Sequence, residues 1–170
     1  DAAAQRSFLR RPAVEDDAAI RTAVLEIVAD VKNRGDDALH ALTARLDGVE
    51  LDDLRVSREE IDAATAAMPA QAIDAIDLAI RNVRRFHEAQ MPPDVDVETM
   101  PGVRCERVSR AIDAVGLYVP AGTAPLPSAA VMLAVPAVIA DCGTRIVCTP
   151  PRPDGRADPA VVVASVRAGV

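Results

Sequence analysis

The sequence is poor in aromatic residues and has no excess of basic ones. Among 170 residues there is no tryptophan, one tyrosine and two phenylalanines. Proteins that bind single-stranded nucleic acid stack the bases on several aromatic side chains, and this chain lacks them. Its 19 Lys and Arg are outnumbered by 26 Asp and Glu, which gives a formal net charge of -7. A nucleic-acid partner is therefore not expected.

Cysteines are few and lack a metal-binding or disulfide pattern. Cys105, Cys142 and Cys148 are odd in number and form no C-x-x-C pair. This argues against a disulfide framework and against a zinc knuckle. We predict that all three are buried free thiols, as most unpaired cysteines are.

Long apolar runs are also missing. The longest, from Ala129 to Ala140, is too short to span a bilayer and ends at Asp141. The first residues contain no apolar core of a secretory signal. We therefore predict a cytoplasmic protein without a membrane partner.

The first ninety residues have the apolar spacing of helices, and a hairpin pattern follows them. Ser57 and Glu60 form an S-x-x-E pair, which predicts a capping box at the start of one helix. Pro92-Pro93 ends the next helix. From Val95, apolar and polar residues alternate around Pro101-Gly102, which predicts a β-hairpin exposed on one face. The apolar face of the longest helix consists of Ile73, Ile76, Ile80 and Val83.

Two short apolar runs separated by an apolar helix predict a β-α-β unit from Ala114 to Thr149. The helix should begin near Ser128 and stop at Gly143. A connection of this length makes the two strands parallel, with a right-handed crossover. Asp158-Pro159 then predicts the start of a last helix. The fold class is therefore α/β.

The carboxyl ends of these strands are the predicted ligand edge. Parallel strands place the loops Pro120 to Pro127 and Pro150 to Gly155 on one side of the sheet, where open α/β sheets bind ligands. Tyr118 stands at the end of the first strand, either stacked on a nucleotide base or packed as a rim tyrosine. The loop after it, PAGTAPLPS, offers a glycine and a helix N-terminus to an anion, or is an ordinary tight connection.

The remaining polar residues have structural explanations. His87 falls on the apolar face of its helix and is interpreted as a packing residue, and His40 as a solvated side chain. Neither a Ser-His-Asp nor an H-E-x-x-H arrangement is present. The sequence therefore assigns no catalytic residue and no metal ligand. The acidic pairs Asp16-Asp17, Asp36-Asp37 and Glu59-Glu60 lie near helix starts, where they complement the helix dipole.

One long segment resembles a known enzyme family. Residues 101–137, PGVRCERVSRAIDAVGLYVPAGTAPLPSAAVMLAVPA, resemble the stretch of histidinol dehydrogenases that usually reads GLYVPGGTAPLPS before a proline-containing apolar helix. Ala121 stands where the family usually has glycine. NRGDDAL, LRVSREEI, NVRRFHEAQ and VCTPPRPDG also resemble the family, so the resemblance extends from about Arg11 to Val170.

The resemblance implies the N-terminal portion of a zinc-dependent homodimeric enzyme that oxidises L-histidinol to L-histidine in two NAD-linked steps. It identifies Tyr118 as an NAD contact and Pro120, Gly122 and Thr123 as its neighbours in the cofactor loop. The zinc ligands and the acid-base pair fall in family sequence beyond Val170, so this chain alone is expected to be inactive. Residues 1–110 would belong to a first, helical domain with a short hairpin, and residues 111–170 would begin an incomplete Rossmann-like domain.

Two alternatives stay open at this point. One is a related zinc and NAD dehydrogenase acting on a different small alcohol, such as a sulfonated diol. The other is a short, non-catalytic module for dimerisation or nucleotide binding.

Overall fold

The computed structural model describes residues 18–121 and 124–170. The chain is divided into two compact units, the first ending at Leu42 and the second extending from Thr43 to Val170. The described helices are α1 (Ala18–Arg34), α2 (Asp36–Leu46), α3 (Arg58–Ala67), α4 (Ala70–Ala89), α5 (Pro127–Ile139) and α6 (Pro159–Ala168). The described strands are β1 (Val95–Met100), β2 (Val103–Arg107), β3 (Ala114–Tyr118) and β4 (Thr144–Cys148).

Helices α3 and α4 form where the sequence patterns predict them. The Ser57 hydroxyl oxygen accepts a hydrogen bond from the Glu60 N–H at 3.1 Å, which confirms the N-cap of α3. The predicted apolar face of α4 is also confirmed, because Ile80 is buried while Ile73, Ile76 and Val83 pack against buried residues of the core. These helices contact α6 and α5, so they share a core with the parallel sheet.

The predicted hairpin is present, but its predicted burial is wrong. Strands β1 and β2 pair antiparallel, with Val97 opposite Cys105 and Glu98 opposite Arg104. Every residue of both strands is exposed, although the alternation predicts one buried face. The difference arises because nothing among the described residues covers the apolar face that carries Val97.

Strands β3 and β4 confirm the parallel β-α-β unit. They pair in register from Ala114 opposite Thr144 to Tyr118 opposite Cys148. Helix α5 connects them and packs against one face of the sheet, where Leu117 is buried. Helix α6 packs on α5, and the two helices meet through small side chains that permit a close approach. The alanines buried in this core include Ala130, Ala134, Ala164 and Ala168.

Helix α5 ends two residues earlier than the sequence predicts. Asp141, with φ of 57°, adopts the left-handed conformation that terminates the helix, and the Cys142 N–H bonds to the Ala137 carbonyl at 3.1 Å. Gly143 is therefore not the helix stop. It serves close packing instead, since a Cβ atom there would lie 3.3 Å from the Asp113 carbonyl oxygen.

Helix α6 begins and ends with the expected signals. The Asp158 carboxylate accepts hydrogen bonds from the N–H groups of Ala160 and Val161, and Pro159 occupies the first helical position. Gly169, with φ of 101°, supplies the left-handed residue after the last turn. The Arg167 guanidinium makes a two-point ion pair with the Asp77 carboxylate of α4.

Candidate functional site

Tyr118 stands at the end of β3 with its side chain on the open face of the sheet. It is 62% exposed, whereas its neighbours Leu117 and Val119 are buried on the opposite face. The N–H of Val119 donates to the carbonyl of Cys148 at 2.8 Å, which holds the exits of the two strands side by side. The sheet therefore presents one aromatic ring, free on one side, at its carboxyl edge.

The loop after Tyr118 is described in part. Pro120 is exposed and Ala121 is half-buried. Gly122 and Thr123, the other two residues predicted to contact the cofactor, lie outside the described residues. Tyr118 and Pro120 are thus both placed at the predicted edge, and the accessible surface of each is available to a ligand.

The amino end of α5 faces the same edge and lacks a side-chain cap. Leu126 is its N-cap residue and offers no side-chain hydrogen bond, while Pro127 has no N–H to donate. The N–H groups of Ala129 and Ala130 donate to the Leu126 carbonyl, so the Ser128 N–H is the first-turn donor left to an anion. The first turn contains no acidic residue to repel one.

The sequence did not identify two residues of this region as part of the candidate site. The hydroxyl oxygen of Thr149, directly after β4, is buried without a hydrogen-bond partner. An unpaired buried hydroxyl is unfavourable, which makes Thr149 a candidate contact for a hydrogen-bonding group of a ligand. The other is Glu60, which reaches the loop after β4 from α3. Thr149 could have been predicted as a site residue, because it directly follows a strand at the ligand edge. The contact between Glu60 and Ala157 could not, because no local sequence pattern indicates it.

The two histidines have the environments expected of structural residues. His87 is half-buried in α4, and its ring meets the Phe86 ring edge to face with centroids 5.8 Å apart. His40 is half-buried in α2, so the prediction of a solvated side chain is only partly right. The pairs Asp36-Asp37 and Glu59-Glu60 lie in the first turns of α2 and α3, as predicted. The pair Asp16-Asp17 lies outside the described residues.

The prediction of three buried thiols is wrong for two of them. All three cysteines are free, but only Cys142 is buried, while Cys105 and Cys148 are exposed. The reason is the openness of the two sheets: Cys105 belongs to the uncovered hairpin, and Cys148 shares the open face of β3 and β4 with Tyr118.

Residues 18–121 and 124–170 show neither a metal-binding cluster nor a membrane-spanning helix. No group of three or more His, Cys, Asp or Glu side chains there is arranged to hold a metal ion. None of the helices in that part of the chain has both the length and the hydropathy needed to cross a bilayer.

Known proteins resemble this chain over nearly its whole length. The family model for histidinol dehydrogenase matches residues 9–170. The histidinol dehydrogenase of Xanthomonas axonopodis pv. citri is 51% identical over 170 residues, and that of Vibrio cholerae is 49% identical over 149 residues, or 88% of this chain. A solved structure, the histidinol dehydrogenase of Elizabethkingia anophelis, aligns with 97% of this chain at a TM-score of 0.89 and 36% identity.

The chain covers only part of these relatives. It spans 39% of the Xanthomonas protein, 35% of the Vibrio protein and 38% of the Elizabethkingia chain. These comparisons do not support either alternative, the sulfonated-diol dehydrogenase or the non-catalytic module. The chain belongs to the histidinol dehydrogenase family.

Proposed function

We propose that this chain is the N-terminal part of an enzyme that oxidises L-histidinol to L-histidine in two NAD-linked steps. The match of residues 9–170 to the family and the names of the relatives support this reaction. The proposal includes the family's zinc dependence, a cytoplasmic location and a homodimer. The net charge of -7 supports the expectation that nucleic acid is not a partner.

We further propose that NAD binds at the carboxyl edge of β3 and β4. Tyr118 would stack its exposed ring on the cofactor, and Pro120, Gly122 and Thr123 would line the loop beside it. The single observation that carries this assignment is the placement of a 62% exposed tyrosine at a strand end, next to the uncapped amino end of α5. NAD, when bound, supplies the acceptor for the hydride that leaves the alcohol carbon.

The residues of this edge fit one side of a dinucleotide site. The Tyr118 ring offers a flat apolar surface, and the amino end of α5 offers the Ser128 N–H and the positive end of the helix dipole to a phosphate. The unpaired Thr149 hydroxyl is a third polar group at the same edge. Together these groups would bind and orient the cofactor, while proton transfer needs groups from elsewhere in the enzyme.

The described residues do not fit a zinc site, because they contain no cluster of possible ligands. A catalytic zinc needs about three ligands from the protein. No step of the reaction is therefore assigned to zinc, and the contribution that we propose for the described residues is cofactor binding.

The domain division at residues 110 and 111 also stays a proposal. A parallel sheet normally has both faces covered, whereas β3 and β4 expose Tyr118, Ile146 and Cys148 on one face. This open face supports the interpretation of residues 111–170 as part of an incomplete Rossmann-like domain.

Replacement of Tyr118 tests the cofactor site. In the enzyme that contains this chain, Tyr118→Ala should weaken NAD binding by about 1–3 kcal/mol, the range measured for stacking of a base on an aromatic side chain. Tyr118→Phe, which keeps the ring, should bind NAD nearly as the unaltered protein does. Isothermal titration calorimetry on folded variants measures both. An unchanged affinity in Tyr118→Ala would make Tyr118 an ordinary rim residue.

A further inference from the structure

The loop that follows β4 closes on itself at the proposed cofactor edge. The Arg152 N–H donates to the Arg156 carbonyl, and the Gly155 N–H donates to the Arg152 carbonyl, both at 2.8 Å. Gly155 makes this turn possible because its φ is 77°, a conformation that side chains disfavour. Residues 152–156 therefore form a compact turn with its own hydrogen bonds.

Two sets of contacts anchor this loop, one to α3 itself and one to the segment before it. The N–H of Ala157 donates to Glu60 Oε1 at 2.9 Å, across 97 residues of sequence. The Gly155 backbone lies against two apolar side chains, since a Cβ atom there would be 3.6 Å from Leu51 and 3.8 Å from Val49. The apolar contacts therefore hold the turn at Gly155, and Glu60 holds the chain directly after the turn, at Ala157.

Glu59, the neighbour of Glu60, makes different hydrogen bonds. The pKa of Glu59 is held below its usual value by a hydrogen bond from its own backbone N–H and by another from the Ser57 hydroxyl. The capping-box pattern predicts that Glu60 bonds back toward Ser57, but its Oε1 oxygen reaches Ala157 instead. The two adjacent glutamates thus have different partners.

The position of Ala157 connects the anchor to the cofactor edge. Ala157 immediately precedes Asp158, the N-cap of α6, and the chain reaches it from Thr149 at the end of β4. The Val119 N–H bond to Cys148 places the end of β4 beside Tyr118. Fixing Ala157 therefore fixes the far end of the loop that begins directly after Cys148, the register partner of Tyr118.

We propose that Glu60 is a positioning residue for the cofactor edge: it holds the loop between β4 and α6 in the arrangement that borders NAD. This inference rests on the proposed function. Glu60 does not touch the cofactor. It changes the affinity for NAD by changing the fraction of molecules in which the loop between β4 and α6 has the binding-competent conformation. When a binding-competent state is less populated, the apparent affinity falls by the same fraction.

The test uses Glu60→Ala, Glu60→Gln and Glu60→Asp in the enzyme that contains this chain. Glu60→Ala removes the acceptor, Glu60→Gln keeps an oxygen acceptor at the same reach, and Glu60→Asp keeps the charge but shortens the side chain. Glu59→Ala is the matched control, because it removes the adjacent carboxylate and leaves the loop contact intact. Two quantities are measured: hydrogen exchange of the Ala157 amide and the dissociation constant for NAD.

Glu60→Ala and Glu60→Asp should each speed exchange of the Ala157 amide by about tenfold or more and raise the NAD dissociation constant by roughly threefold to tenfold. Glu60→Gln should restore both values nearly to those of the unaltered protein, and Glu59→Ala should leave both unchanged. If Glu60→Ala does not fold, the comparison of Glu60→Asp with Glu60→Gln decides the same question.

Two kinds of result would overturn the proposal. Faster Ala157 exchange with an unchanged NAD dissociation constant would mean that the anchored loop does not border the cofactor. Equal effects of Glu59→Ala and Glu60→Ala would mean that both glutamates act only by stabilising α3. Failure of the proposed function looks different, because the unaltered, folded enzyme would then not bind NAD, and both proposals would fall together.

Discussion

The described part of the chain contains two sheets of two strands each, and they are held together in different ways. In the hairpin of β1 and β2, all the residues are exposed, and the Arg104 guanidinium bonds to the Asp96 carboxylate on its polar face. In the parallel pair of β3 and β4, Leu117 is buried beneath α5, and so is Val119 just after β3. The first sheet is supported by its own backbone and surface contacts, and the second by a core.

This difference follows from how each pair is connected. Antiparallel strands are joined by a tight turn, here at Pro101-Gly102, and their pairing needs only local contacts. Parallel strands need a crossover, and the crossover helix α5 brings apolar surface that covers the sheet. The hairpin can therefore be present without a core, whereas the β3 and β4 pair depends on one. A hairpin with no cover is only marginally stable by itself.

A valine-to-alanine substitution should destabilise the core far more than the hairpin, and this difference is the largest effect that we expect. Val135 of α5 is fully buried in the core, and Val97 of β1 is exposed. Val135→Ala should lower the free energy of unfolding by about 2 kcal/mol, because it removes buried methyl groups and leaves a cavity. Val97→Ala should cost less than about 1 kcal/mol. Urea unfolding followed by circular dichroism measures both, and equal losses would contradict the contrast.

A smaller effect is expected from the ion pair that fastens α6 to α4, and it should depend on pH. The pKa of Asp77 is lowered chiefly by hydrogen bonds from the Arg167 guanidinium. Because the folded pKa lies below the unfolded one, the contribution to stability is present above the unfolded pKa, about 3.9 for Asp. It is lost as the pH falls through the folded value.

Asp77→Asn should therefore be less stable than the unaltered protein near neutral pH, with the difference shrinking as the solution becomes more acidic. Thermal unfolding over a series of pH values measures this difference. Asp52→Asn removes the same charge from an exposed position and is the matched control. A destabilisation that stays constant down to acidic pH would show that Asp77 contributes through packing rather than through its charge.

The smallest effect should come from Arg104→Ala in the hairpin. This change removes the ion pairs of Arg104 with Asp96 and Glu106, which are exposed to solvent and screened by salt. Amide exchange within β1 and β2 should become faster, while the unfolding midpoint of the core stays the same. A lowered midpoint would mean that the hairpin and the core unfold together.

Much of the fold follows from local signals in the sequence. The Ser57 and Asp158 caps, the apolar face of α4, the Pro101-Gly102 turn and the β-α-β unit are all recognisable because each depends on neighbouring residues or on a regular spacing. At the candidate site, the same reasoning placed Tyr118 at a strand end. The right-handedness of the crossover stays a prediction.

The failures concern contacts that are distant in sequence. Alternation predicted a covered face for the hairpin, but a pattern does not say whether a covering element is there. Glycine at position 143 looked like a helix stop, yet Asp141 adopts the left-handed conformation and Gly143 makes room for the Asp113 carbonyl. Glu60 looked like half of a capping box, and its partner at Ala157 is 97 residues away.

The bond between the Val119 N–H and the Cys148 carbonyl has a consequence for how the cofactor edge can vary. Both of its atoms belong to the backbone, so replacing the side chain at either position leaves the donor and the acceptor in place. The spacing between the two loops is then independent of most changes in their sequences. A library that randomises residues 120–126 and 150–154 but keeps Gly155 should therefore yield proteins with altered ligand preference on an unaltered frame. Position 119 is left unvaried, because proline there would remove the donor.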